Sequence, residues 1–522
     1  MDIDNSSNTA ISTASATILD NVGSYELHWG SNDLKIICPQ GVMTNPKIES
    51  GLKWTRKSLE WDQRTRTRRT VFKQELAYNK SKLPDGRYQY QTFQGMLDKV
   101  RTILEKQKQT YHIYDNRIPL DQKPQLHLMH GFRFDQRELI TNALIQERSG
   151  LVGAPTRYGK TVLITNTINA YPNTKIAVLA PGVDLLPQLV DAIKKYCPDR
   201  DVKGIFSGSK DRTESDDVTV CSLDSMHKLD KASYSLVLID EPHSAVTDSR
   251  APQLIEFSKA RLIGFGATLE GRWSGNDIMI EGIIGPVLAE TTYTKCVEMG
   301  ALCPIHVYML RLPYKALGYK QRNAAYNKYV FQNPQFHKVV GELCNNVLPD
   351  DYQTLVFINN EKEAKALHPH INGGYLAMDK LFKNKSERQE MFKKLKANEI
   401  RRCICSSIYS TGVTIDDIKA EINCDAGGGG ILSIQKPGRL AEIKPGKPEG
   451  IMLDFLFECR NPEGQTDAPG AIDLSVQKDS YNRLEAYIKK GYIVDIFESI
   501  EELKQRLWEI HNINKESNEE KQ

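Results

Sequence analysis

From about residue 130 to about 456 the chain alternates short apolar runs with stretches of helical period. "SGLVG", "KIAVLAP", "DVTVCSL", "YSLVLIDE" and "ARLIGFGAT" are nearly continuous apolar runs, as strands buried on both sheet faces are. "KTVLITNTINAY" and "DLLPQLVDAIKKY" between them read as helices. After "GALCPIHVYMLRLP" the cycle starts again, through "QTLVFIN", "KEAKALH", "GGYLAM", "SERQEMFKKLKANE", "RRCICSSI", "AEINCDAG" and "GIMLDF". A strand–helix pattern used twice predicts two tandem α/β units, each built on a parallel sheet.

The flanks have other textures. Residues 1–20 are rich in Ser, Thr, Asn and Ala and read as a frayed tail. "YELHWGSNDLKIICP" alternates and predicts short strands, while "GMLDKVRTILEKQKQ" (95–109) predicts an amphipathic helix. Met96, Leu97, Val100, Ile103 and Leu104 form its apolar face. The resulting division is a tail at 1–20, a small α+β domain at 21–117, the two α/β units at 118–296 and 297–456, and a helical extension with a charged tail at 457–522.

Composition adds limits rather than identity. Over 522 residues, 40% hydrophobic and 26% charged content is ordinary for soluble globular chains, and a net charge of +3 is too small to name a partner. The ten cysteines form no CxxC pair, which argues against a zinc ribbon or a disulfide framework. Cys403 and Cys405 share one face of an apolar strand, a pattern that fits burial. The acids near the N-terminus and the lack of any apolar run near the roughly 20 residues a membrane span needs lead us to expect no membrane partner. A reducing, cytoplasmic setting is the matching expectation.

The distribution of charge is more informative. Between Lys53 and Lys73 lie Arg56, Lys57, Arg64, Arg66, Arg68 and Arg69, against only Glu60 and Asp62, with Trp54, Trp61 and Phe72 interleaved. Cations neutralise phosphates and aromatic rings stack on bases, so the segment suits nucleic acid. A solvated basic helix face with core tryptophans is the blander alternative.

Candidate chemistry centres on "APTRYGKT" (154–161). A loop between an apolar strand and a helix start turns backbone N–H groups and the helix N-terminus toward an anion. Ala154, Pro155, Thr156, Arg157, Tyr158 and Gly159 would form the cradle, Lys160 would reach the outer phosphates, and Thr161 would place a hydroxyl on Mg²⁺. Arg157 and Tyr158 occupy variable positions and are expected to project outward. About eighty residues on, "LVLIDEPH" ends a strand in Asp240 for Mg²⁺ and Glu241 for the attacking water. ATP with Mg²⁺ is the implied cofactor pair.

The order of the remaining motifs resembles superfamily 2 helicases over 130–456. "FRFDQRELITNAL" resembles the segment that reads adenine, which implies Gln136 as reader with Phe134 beside it. "APGVDLLPQ", "VTVCSLDSM", "DEPH", "GATLEGR", "LVFINN", "SSIYSTGVTI" and "QKPGR" resemble the successive motifs in order. The resemblance implies two RecA-like sheets with ATP in the cleft between them, closed by Gln435 and Arg439. It also implies a strand grip through Thr268, Ser410 and Thr411, and His243 as a coupling residue. Two positions depart from the pattern. Glu442 stands where motif VI carries its second arginine, and Thr414 where motif V commonly has Asp. Either Arg439 suffices, or a neighbour such as Lys444 or Lys447 substitutes.

The small N-terminal domain, the uninterrupted core and the helix ahead of "KKGY" are similar to phage recombination helicases of the UvsW type. The expected function is therefore an ATP-dependent DNA helicase or translocase acting on branched DNA. An RNA helicase and an ATP-responsive DNA clamp with weak hydrolysis are the competing expectations, and a nuclease-coupled motor ranks last. No residue fixes an oligomeric state.

Overall fold

The computed structural model describes residues 23–62, 67–182, 186–209, 213–267, 277–378, 381–382, 385–406, 418–427, 436–461, 470 and 472–519. The N-terminal unit contains β1 (Tyr25–Trp29), β2 (Asp33–Ile37), β3 (Lys53–Asp62), β4 (Thr67–Leu76), β5 (Tyr78–Lys82), β6 (Tyr88–Phe93) and β7 (Tyr111–Asp115). Five of them form a mixed sheet in the order β5-β6-β2-β1-β7. The expected amphipathic helix runs Leu97–Lys106 and buries Leu97, Val100 and Leu104, one face of a 3.6-residue period. That face packs with Leu27, Leu34, Ile36 and Tyr90.

The basic segment is not a helix. β3 and β4 pair only with each other, as an antiparallel ribbon in which Lys57 faces Phe72 and Trp61 faces Arg68. Alternation splits its aromatics: Trp54 packs against the N-terminal core, whereas Phe72 is 63% exposed. Arg64 and Arg66 lie outside the described residues.

The first α/β unit is a parallel sheet of β8 (Gly150–Gly153), β9 (Ile176–Ala180), β10 (Val202–Ile205), β11 (Val218–Ser222), β12 (Leu236–Asp240), β13 (Arg261–Gly266) and β14 (Val287–Glu290). Its order is β10-β11-β9-β12-β13-β8-β14. The chain leaves β8 and returns at β9 with two strands between them, which opens a crevice at the carboxyl edge where ligands of such sheets bind. Register aligns that edge, since Asp240 faces Phe265 and Gly266 faces Gly153.

The second unit repeats the design with β15 (Ile305–Lys315), β16 (Gln353–Phe357), β17 (Gly374–Ala377), β18 (Arg402–Cys405), β19 (Ile418–Asn423), β20 (Gly450–Arg460) and β21 (Ile493–Phe497), in the order β17-β18-β16-β19-β20-β15-β21. All its pairings are parallel. The expected fold class, two RecA-like parallel-sheet units after a small α+β unit, is the fold observed. Cys403 and Cys405 lie buried in β18.

The segment read as an extension beyond 456 belongs to this sheet. β20 continues to Arg460, and β21 adds an edge strand beside β15, with His306 facing Ile493 and Leu310 facing Phe497. The helix Leu474–Lys490 makes that return possible by covering β20. Arg483 there grips Asp454 of β20 with Nε and Nη2, each at 2.9 Å, both side chains fully buried. Tyr487 donates its hydroxyl to the same carboxylate at 2.7 Å.

The N-terminal unit is seated on the first sheet's helix Asp277–Ile284. Gln94 Nε2 donates to the Ile284 carbonyl at 3.1 Å, and a Cβ on Gly95 would come 1.9 Å from the Glu281 carbonyl oxygen. Asn32 Nδ2 donates to the Ile255 carbonyl at 2.6 Å, and Arg56 of the ribbon pairs with Asp248.

Breaking a buried ion pair strands the remaining charge in a low-dielectric interior. Arg483→Ala should therefore cost about 3–5 kcal/mol, and Tyr487→Phe about 1 kcal/mol. Urea unfolding of each variant checks this, and equal small losses would contradict the assignment.

Candidate nucleotide site between the two sheets

The loop after β8 turns sharply into the helix Lys160–Ala170. Gly159, at φ +103°, occupies a left-handed backbone that glycine adopts without steric cost. It is also pressed from outside, because a Cβ there would lie 2.7 Å from Gln136 Nε2. Gln136 is buried and uses one end of its amide on the loop and the other on its own segment. Nε2 donates to the Tyr158 carbonyl at 2.6 Å, and Oε1 accepts from the Arg133 N–H at 2.8 Å. The residue expected to read adenine thus positions the phosphate loop. Phe134 is 54% exposed nearby in the chain.

Tyr158 does not project outward. It is 4% exposed, packs in the first unit's core and donates its hydroxyl to Asp135. A phenol ring gains more from burial than from solvent once its hydroxyl has a partner. Arg157 takes a left-handed backbone, at φ +69°, and reaches the second unit, with Nη1 3.3 Å from Glu442 Oε2. The motif around Arg439 lies directly on the loop: a Cβ on Gly438 would be 2.8 Å from Thr156 Cβ.

Lys160 meets the carboxylates at the end of β12. Lys160 Nζ lies 2.7 Å from Glu241 Oε1, and His243 Nδ1 lies 3.4 Å from Glu241 Oε2. Burial opposes ionisation of Glu241, but Lys160 and His243 outweigh it and hold the carboxyl below its ordinary value. Burial and the Glu241 charge push the Asp240 carboxyl up to about 7. Asp240 Oδ1 is buried without a hydrogen-bond partner, which suits a cation ligand. Asp240, together with the exposed Thr161 at the helix start, therefore fits a hard divalent ion such as Mg²⁺.

Arg439 sits in the turn Pro437–Arg439 and is 5% exposed. Desolvation lowers its guanidinium to about 10, and the facing Glu421 opposes that fall. Both lysines suggested as substitutes have partners within the second unit. Lys447 is buried and donates to the carbonyls of Ile418 and Leu440 at 2.9 and 2.7 Å, and Lys444 pairs with Glu442 at 3.3 Å. Gln435, Thr268, Ser410 and Thr411 lie outside the described residues, as do Thr414 and all of its motif after Ser406.

One site residue went unread in the sequence. Lys490, at the end of the helix Leu474–Lys490, donates from Nζ to the Ala267 carbonyl at 3.0 Å, just beyond β13. Its only sequence signal was the lysine pair of "KKGY".

Residues 129–271 match the family described as type III restriction enzyme, res subunit, and residues 338–444 match the helicase conserved C-terminal domain. The chain is 23% identical over 369 residues to the DNA 3'-5' translocase XPB2 of Sulfurisphaera tokodaii, covering 62% of this chain and 81% of that protein. It is also 23% identical to IRC3 of Saccharomyces cerevisiae, covering 63% of this chain and only 51% of that protein. Among solved structures, the DNA-bound type ISP restriction-modification enzyme LlaBIII aligns with TM-score 0.51 at 14% identity, over 80% of this chain and 35% of that one. UvsW of bacteriophage T4 aligns with TM-score 0.40 at 14% identity, over 91% of this chain and 99% of that one.

Gly159→Ala should weaken ATP binding about tenfold or more, because the new Cβ meets Gln136 in a backbone region that resists side chains. Fluorescence anisotropy of a labelled nucleotide reads this directly; unchanged affinity would mean the cradle is not used.

Proposed function

We propose that this chain, a superfamily 2 helicase by its two domain matches, is an ATP-driven motor that remodels branched DNA, of the UvsW kind. One observation carries the reading most: the Gly438–Arg439 turn of the second unit packs on Thr156 of the phosphate loop. Phosphates in that loop would be enclosed by both sheets, so ATP binding and hydrolysis would be coupled to cleft closure and opening.

In the proposed reaction Lys160 leaves Glu241 for the outer phosphates. Glu241 then takes a proton from water as the water oxygen bonds to the γ-phosphorus. The bond to the β–γ bridging oxygen breaks, and its electron pair leaves with ADP. Asp240 and Thr161 would hold Mg²⁺, which supplies positive charge to the phosphates. Arg439 would add charge from the second unit.

Nucleic acid would be held chiefly by phosphate contacts, which read no sequence. Thr268, Ser410 and Thr411 are the proposed grip within the motor. The ribbon would add Lys53, Lys57 and Lys73 for phosphates and the exposed Phe72 for stacking on bases. DNA as the polymer is supported by the DNA translocase named among its relatives and by LlaBIII bound to DNA. A DNA clamp with weak hydrolysis is a second reading, favoured by the carboxylate of Glu442 at the cleft. The proposed setting is cytoplasmic.

ATP hydrolysis should rise strongly with forked or four-way-junction DNA, rise little with RNA, and vanish in Lys160→Ala. Equal stimulation by RNA would replace the DNA motor with an RNA helicase. Tight ATP-dependent DNA binding without turnover would leave the clamp. Separately, Lys57→Ala with Phe72→Ala should weaken single-strand binding about tenfold and flatten its salt dependence, as measured by anisotropy across a salt series.

A further inference from the structure

Motif VI of relatives ends in a second arginine, and here that position is Glu442. The phosphate loop of relatives carries small residues where this chain has Arg157. The structure joins these two departures, since Arg157 Nη1 lies 3.3 Å from Glu442 Oε2 across the cleft. Their side chains are 19% and 28% exposed, so the pair is partly shielded from water and screened less than a surface pair.

The other cations at this edge already have partners within the second unit. Lys436 binds Asn423 and Asp425 and Lys447 binds two backbone carbonyls, whereas Lys444 shares Glu442 with Arg157, each 3.3 Å from one carboxylate oxygen. Arg439 faces Glu421, which is fully buried with neither carboxylate oxygen hydrogen-bonded. Burial pushes that carboxyl up to about 8. Arg157 is held in a left-handed backbone on the loop itself and carries its guanidinium to the face of the second unit.

We propose that Arg157 supplies from the phosphate loop the second phosphate-facing positive charge that relatives bring on motif VI, with Glu442 as its positioning partner across the cleft. This rests on the ATP-hydrolysing reading above. A guanidinium has five N–H donors in a rigid fork, so one edge can stay on Glu442 while another meets a γ-phosphate oxygen. Arg157 transfers no proton. It neutralises charge on the transferring group while water attacks, the bridging oxygen departs with ADP, and Glu241 receives the proton. The second unit then holds the nucleotide loop through a side chain that also senses the terminal phosphate.

The test uses the full chain and five variants: Arg157→Ala, Arg157→Lys, Glu442→Gln, Glu442→Arg and the exchange Arg157→Glu with Glu442→Arg. Arg157→Ala should lower kcat about 30-fold or more on single-stranded DNA, with KM and ADP affinity within about threefold. Binding of ADP with aluminium fluoride, a mimic of the transferring phosphoryl group, should weaken about tenfold or more. Arg157→Lys should recover only part, lacking the fork, and Glu442→Gln should lower kcat less than Arg157→Ala. Glu442→Arg alone sets two cations face to face, and the exchange should bring kcat back to within about fivefold of the parent.

Retention of kcat in Arg157→Ala within about threefold would overturn the proposal and leave Arg439 sufficient. Loss of ADP affinity along with kcat would also overturn it, by making Arg157 a structural part of the loop. An exchange variant no better than either single change would remove Glu442 from the partnership. If the parent itself turned over no ATP with any nucleic acid, the motor reading would fail instead, while the ADP and fluoride-complex affinities would still judge Arg157.

Discussion

One ammonium faces two carboxylates at the carboxyl edge of the first sheet, and that imbalance governs what the site can hold. Lys160 satisfies Glu241 at 2.7 Å and leaves Asp240 with a buried, unpartnered oxygen. Burying charge in excess is costly unless something of opposite sign arrives or a proton is taken up. A divalent ion bound with a nucleotide would answer both needs, Asp240 holding the cation and Lys160 turning to the phosphates. The rest of the first unit serves this juxtaposition. The β12–β13–β8 register brings both loops to one level, and Gln136 fixes the loop from which Lys160 starts.

Much of this was legible in the chain. Continuous apolar runs can be stable only where both sheet faces are covered, so the two parallel sheets followed from the pattern. The strand–loop–helix context located Lys160, Asp240 and Glu241, because local backbone geometry dictates those positions. What depended on distant partners was not legible. Whether Tyr158 points in or out turns on Asp135, 23 residues earlier, and whether Gln136 faces a base or a carbonyl turns on the loop's final path. The residues of β21 are too few for periodicity to speak, and their place in the sheet is set by the buried Arg483–Asp454 pair. Arg157 and Glu442 each stood out as a departure, but only the folded cleft brings them together.

The second unit is also joined to the first through residues outside the phosphate loop. Lys490 reaches the Ala267 carbonyl from the helix clamped to β20, and Tyr293 and Tyr492 pack edge to face with ring centroids 4.8 Å apart. If the cleft opens, whichever of these contacts persists would serve as its hinge.

The seating of the N-terminal unit gives that hinge a lever. Gln94, Gly95, Asn32 and Arg56 tie the small unit to the first sheet and its helices, so the ribbon must swing with that sheet. Each ribbon strand has ten residues, an arm of roughly 33 Å. A domain rotation of about 15° would carry its far end roughly 9 Å. A small angular stroke at the phosphates would thus become a sideways displacement comparable to two or three nucleotides at about 3.4 Å each. The ribbon's length sets the gear ratio between the two.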